Sequence, residues 1–182
     1  MLNPINIMLK KIILSLSFFV AVCTCNAQET PFLAETHQPE STDSECLSLT
    51  DEIQVFARQL LGTRYRYGGK ATHGFDCSGL VNYVFGYFGI QVAHASRDLY
   101  RLGNKMSIEE AKPGDLIFFR TSSRRKGVSH VGIVLEPDEH GLRFIHSATS
   151  KGVIISYLKE KYYNLRFVGI RRVIDNGKVG NS

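Results

Sequence analysis

The sequence predicts an α+β domain in which N-terminal helices pack on a mainly antiparallel sheet of about five to six strands. Three observations carry this. Helical periodicity is concentrated between residues 51 and 88. Short stretches rich in β-branched and aromatic residues fill 116–173. Between two of those stretches, Pro137-Asp138-Glu139-His140-Gly141 spells a chain reversal. The 182 residues are 43% hydrophobic, enough for one ordinary core, and show neither an internal repeat nor a heptad pattern.

The first 27 residues read as a secretory leader rather than as fold. Lys10 and Lys11 precede an apolar run, 12–23, that is short for a bilayer span, and Cys25-Asn26-Ala27 ends on a small residue at the cut. The chain is thus expected to be exported to the cell envelope, periplasmic or secreted, with Gln28 as its first mature residue. The alternatives are an uncleaved anchor and a lipoprotein bearing its lipid on Cys23 or Cys25; Val22 and Thr24 stand where a Gly, Ala or Ser would precede a lipidated cysteine. A lipid anchor is the one membrane attachment this reading allows. Residues 28–47, with Pro31, Pro39 and a polar run from Gln38 to Glu45, form a linker, 48–174 the domain and 175–182 a tail.

Losing the leader removes two of 22 basic residues and leaves 20 against 17 acidic. That mild excess suits an anionic polymer, and no dense Lys/Arg stripe interleaved with aromatics points to nucleic acid. Of four cysteines, Cys23 and Cys25 leave with the leader, while Cys46 lies in the polar linker and Cys77 in the domain. A free thiol in an oxidising compartment requires a reason, and catalysis is one.

The first helix is predicted over 51–61, capped by Thr50, favoured by Asp51 and Glu52 at its positive end, closed by Gly62, and apolar along Ile53, Phe56, Ala57, Leu60 and Leu61. Residues 63–76 read as a Gly- and Tyr-rich loop. A second helix follows over 77–88, with Leu80, Val81, Val84, Phe85 and Phe88 at helical spacing and Gly89 as stop. A shorter helix is expected over 96–102, and a turn capped by Ser107 with Glu110 three residues on. Strands are expected at 116–120, 130–136, 142–148, 153–157 and 166–173, with a solvated basic loop, 121–127, carrying Arg124, Arg125 and Lys126.

Cys77 stands where loop becomes helix. There the helix dipole favours thiolate, the nucleophilic form, and the first-turn N–H groups lack helical partners and can hold an oxyanion. A hairpin turning near Asp138 sets His130 and His146 opposite one another on one face, so that one ring orients the other. Nucleophile, base and orienting group are the parts of a cysteine hydrolase. His37, His73 and His140 read as linker, loop and turn residues. No His-x-x-x-His pair argues for zinc, so neither metal nor cofactor is expected.

The run Leu61-Gly62-Thr63-Arg64-Tyr65-Arg66-Tyr67-Gly68-Gly69, followed by Phe75-Asp76-Cys77-Ser78-Gly79-Leu80-Val81, resembles the NlpC/P60 family of cell-wall peptidases. So do Lys112-Pro113-Gly114-Asp115-Leu116-Ile117-Phe118-Phe119, Ser129-His130-Val131-Gly132-Ile133-Val134 and Phe144-Ile145-His146-Ser147-Ala148, in that order. The resemblance spans about 50–173 and implies a papain-like α+β fold and a monomer acting on peptidoglycan stem peptides or cross-links, next to diaminopimelate. It implies Cys77 as nucleophile, His130 as base and His146 as the polar third member. It further implies Tyr65 lining the site, with its hydroxyl on the oxyanion, and Asp76, Ser78 and Ser96 toward the substrate. Where the family often has Leu-Pro-Arg-Thr-Ser with a later Gln, this chain has Val92-Ala93-His94-Ala95-Ser96 and Leu99. His94 replaces the usual Arg, which bears on specificity. An amidase or thiol acyltransferase with the same Cys/His pair, and a non-catalytic wall-binding domain, are the competing readings.

Overall fold

A computed structural model describes residues 47–122, 127–175 and 178–179. The expected leader, most of the linker with Cys46, and the three basic residues of the 121–127 loop lie outside them.

Helix α1, Leu49–Gln59, begins two residues before the predicted start because Ser48, not Thr50, is its cap. Ser48 Oγ accepts from Asp51 N at 3.3 Å, and the Asp51 carboxylate accepts from Ser48 N at 3.3 Å. This reciprocal box satisfies two N–H groups that a lone Thr50 cap would not. Ile53 and Ala57 turn into the core. From the same face Gln54, 6% exposed, reaches the sheet, where its Oε1 accepts from Glu136 N at 2.6 Å.

The stretch read as loop contains a small hairpin, β1 (Lys70–Ala71) with β2 (Gly74–Phe75). Helix α2, Cys77–Tyr87, starts where predicted and stops one residue early. Leu80, Val81, Val84 and Phe85 are fully buried along it, as the apolar spacing requires. Helix α3 is a single turn, Ser96–Leu99, and residues 100–102 are not helical. Ser107 and Glu110 cap each other around the expected turn, Ser107 N donating to Glu110 Oε2 at 3.1 Å and Glu110 N to Ser107 Oγ at 3.3 Å.

The remaining strands are β3 (Asn104–Met106), β4 (Leu116–Phe119), β5 (His130–Asp138), β6 (Gly141–Ala148), β7 (Gly152–Tyr157) and β8 (Phe167–Arg172), with the single-turn α4 (Lys161–Asn164) before β8. They form one six-stranded sheet in the order β3-β8-β4-β5-β6-β7, antiparallel throughout. The edge strand β3 carries too few apolar residues to be read from pattern. Residues 174–175 and 178–179 pair as a further short ribbon.

Two cores flank the sheet. One gathers Ile53, Leu80, Val84, Phe85, Phe118, Val131 and Ile133 between helices and sheet, and the other gathers Ile117, Phe119, Val134, Phe144, Tyr163 and Ile170 on the opposite face. The Lys-Pro-Gly-Asp block is structural: Asp115, 2% exposed, receives Arg172 Nε at 2.8 Å and Nη2 at 2.9 Å, and Lys112 N at 2.9 Å. This bidentate, hydrogen-bonded pair ties β8 to the start of β4. The neck of the basic loop is closed by Ser129 Oγ, which accepts from Thr121 N at 2.9 Å and Ser122 N at 3.0 Å.

Candidate active site

Asp76 builds the turn that carries Cys77. It is the N-cap of α2; its Oδ1 accepts from Gly79 N at 2.6 Å and from the Ser78 hydroxyl at 3.1 Å, while Oδ2 accepts from Gly68 N at 2.9 Å. One carboxylate thereby caps the helix and pins the preceding loop. Gly79 is required by close approach, since a Cβ there would stand 1.9 Å from the Gly69 carbonyl oxygen. With Gly79 N claimed by Asp76, the N–H groups of Cys77 and Ser78 face the Cys77 sulfur, together with Val131 N–H from β5. The sulfur therefore meets the sheet one residue past His130. Among the described residues no direct hydrogen bond joins Cys77 to His130.

These N–H groups lower the Cys77 pKa, but burial, and after it the Asp76 charge, outweigh them and push the thiol up to about 11. The helix start favours the thiolate through these N–H groups, as expected, while desolvation and a carboxylate next in sequence oppose it. His130 is likewise driven down to about 4 by burial, which the Asp76 charge only partly opposes. Burial therefore favours the neutral form of both the thiol and the imidazole.

His130 and His146 are joined as the hairpin reading requires, with His130 Nε2 2.9 Å from His146 Nδ1 and rings nearly perpendicular at 85°. The register differs from the expected one. Pairs run Ile133↔Ile145, Val134↔Phe144 and Leu135↔Arg143, then shift by a bulge to Asp138↔Gly141. His146 consequently lies in line with Gly132, two residues beyond His130. A shift of two preserves the face, so the rings meet diagonally instead of directly across. Gly132 makes room for this, because a Cβ there would lie 2.8 Å from Phe144 Cδ2 and 3.2 Å from His146 Cβ.

His146 is 1% exposed and its pKa falls to about 3, first through burial and then through the His130 charge. On its far side Nε2 meets Tyr163 Oη at 3.1 Å and Ser156 Oγ at 3.2 Å. Sequence reasoning missed both hydroxyls. Ser156 had a signal, a polar residue in an otherwise apolar strand; Tyr163 had none, because the α4 turn delivers it from outside the hairpin.

Tyr65 bridges Phe75 in the loop before α2. Its phenol is raised by burial and then by the charges of Cys77 and Asp76, so it stands near Cys77, with the Thr149 side chain as hydrogen-bond partner. Ser78, 8% exposed, gives its hydroxyl to Asp76. Ser96 opens α3 with its side chain half-buried. The run before it is tied to α2 by Asn82, whose Nδ2 donates to Ser78 O and Ala93 O, each at 2.9 Å. Asn82 and His94 both line a cavity of about 520 Å³ with Lys70, Tyr83 and Tyr87.

Known proteins carry the same fold and sequence. The chain is 38% identical over 118 residues to the gamma-DL-glutamyl hydrolase of Bacillus subtilis, covering 64% of this chain and 27% of that protein. It thus spans about a quarter of the Bacillus enzyme's length. It is 29% identical over 175 residues to the murein DD-endopeptidase/murein LD-carboxypeptidase MepS of Escherichia coli K12, covering 88% and 89%. The structure is similar to that of the peptidoglycan hydrolase RipB of Mycobacterium tuberculosis, with a TM-score of 0.55, 26% identity and coverage of 69% and 65%. The NlpC/P60 family model matches residues 62–172, and the chain belongs to the NlpC/P60 family.

Proposed function

We propose that the protein is an exported peptidoglycan endopeptidase that cleaves stem-peptide or cross-link peptide bonds next to diaminopimelate through a thioester on Cys77. The observation that carries this is the convergence of the α2 N-terminus on the start of β5. It puts the Cys77 sulfur against Val131 N–H, next to a base whose far nitrogen is already held by His146 at 2.9 Å. The name of one relative, a murein DD-endopeptidase/murein LD-carboxypeptidase, supports peptide bonds of the wall as substrate.

In this mechanism His130 Nε2 is engaged by His146, so Nδ1 is the nitrogen that receives the thiol proton. Because both groups rest neutral, the proton moves as the sulfur–carbon bond forms rather than before substrate arrives. The N–H groups of Cys77 and Ser78 and the Tyr65 hydroxyl hold the oxyanion. Collapse expels the amine, which takes the proton from His130, and leaves a thioester. Water then attacks the thioester, giving its proton to His130, and regenerates the thiol as the carboxylic acid product departs. The run 92–96, anchored through Asn82, and Ser96 border the stem peptide, and His94 sets a specificity different from that of an arginine. Export depends on the 1–27 leader, and the enzyme works as a monomer.

Mass spectrometry of muropeptides digested by the purified protein tests the bond. The expected products are internal stem fragments or monomers released from cross-linked dimers. Intact stem peptides freed from their sugars would identify an amidase instead, and unaltered muropeptides would refute hydrolysis.

A further inference from the structure

We infer that Tyr163 and Ser156 are positioning residues that hold His146 as its Nε2–H tautomer, and so keep His130 protonated on Nε2 with its Nδ1 free to act as base. The inference rests on the reading of His130 as base. It starts from the ring nitrogens. His130 Nε2 and His146 Nδ1 are 2.9 Å apart, so one carries the hydrogen and the other accepts it. Two arrangements of the neutral pair satisfy this. In one, His130 Nε2–H donates to His146 Nδ1, and the His146 hydrogen sits on Nε2. In the other, His146 Nδ1–H donates, the His130 hydrogen is forced onto Nδ1, and no lone pair remains for the thiol proton. Only the first arrangement is competent.

The far side of His146 decides between them. Two oxygens converge on the same Nε2, Tyr163 Oη at 3.1 Å and Ser156 Oγ at 3.2 Å. A single in-plane lone pair takes one donor well, whereas an N–H can be shared between two acceptors. The two hydroxyls are also within hydrogen-bonding reach of each other. With a neighbour each to receive its own hydrogen, the hydroxyls can both turn lone pairs toward an Nε2–H between them. The surroundings allow little else: Ser156 is 4% exposed, Tyr163 8% and His146 1%. The Tyr163 ring is fixed against Phe119, Phe144 and His146, with centroids 5.3, 5.0 and 5.3 Å away. When His130 takes the thiol proton, its Nε2–H keeps donating to His146, so catalysis needs no tautomer change.

Nitrogen-15 NMR of the wild-type imidazoles, beside kinetics of Tyr163→Phe, Ser156→Ala and the double variant, tests this. The hydrogen of His146 is expected on Nε2 in the wild type. The double variant is expected to show a mixture with Nδ1–H and to lose kcat by about tenfold or more with KM within about twofold. If the double variant does not fold, the single variants carry the test, each with a smaller loss and a smaller tautomer shift. A wild-type His146 protonated on Nδ1 overturns the inference. So does an unchanged tautomer in the variants, whether or not kcat falls, since a fall alone reports only lost packing. Failure of His130 as base would appear separately, as turnover retained by His130→Ala.

Discussion

Cys77→Ala is expected to reduce cleavage of wall peptides by a factor on the order of 10⁴ to 10⁶, the range seen when a hydrolase loses its covalent nucleophile. The folded state should hardly change. The side chain is half-buried, packed at the margin of the helix–sheet core, and the hydrogen bonds of its turn are made by Asp76 and backbone rather than by sulfur. Cys77→Ser is expected to be nearly as inactive. A hydroxyl is harder to ionise than a thiol, and burial holds His130 at about 4, a weak base for that task. Turnover of purified muropeptides and a thermal melt check both variants. Retained cleavage in the alanine protein would remove Cys77 from the chemistry, and its unfolding would mean that the residue is structural.

The second large effect concerns stability. Gly79→Ala puts a methyl 1.9 Å from the Gly69 carbonyl oxygen, which already accepts from Asp76 N at 3.0 Å. Backbone meets backbone there, so relief requires the helix start to move away from the loop. A loss of about 3 kcal/mol or more is expected, above the usual cost of overpacking because no flexible side chain can yield. Gly86→Ala in the same helix is the control. A Cβ at Gly86 meets nothing within 4 Å, and the gain in helix propensity is up to about 1 kcal/mol. Urea melts of the pair should therefore move in opposite directions. Equal stability of Gly79→Ala and wild type would show that α2 is not seated against residue 69.

What was legible in the sequence was local. Helix α2 could be read because Leu80, Val81, Val84 and Phe85 repeat at helical spacing. The shared face of His130 and His146 was legible from strand parity, although the hairpin turns past Asp138 and, with the one-residue bulge between Leu135 and Asp138, sets the register two from the expected one. Non-local features were not legible. The Ser48 box displaced the expected Thr50 cap through the carboxylate of Asp51. The loop 63–76 gained a two-residue hairpin whose strands are too short for any periodicity. The desolvation that opposes the thiolate was not legible, because a helix terminus can be read from sequence whereas the packing around it cannot. Tyr163 reaches His146 only because a single helical turn folds back over the sheet.

The central claim is that Cys77 and His130 rest uncharged and exchange a proton only during attack. Alkylation of Cys77 by iodoacetamide across pH, followed at that residue by peptide mass spectrometry, tests it most directly. With the thiol raised to about 11, the rate should be low at neutral pH and climb about tenfold per pH unit to about pH 10. A fast rate that is already level from about pH 5 upward would reveal a preformed thiolate–imidazolium pair and contradict the claim.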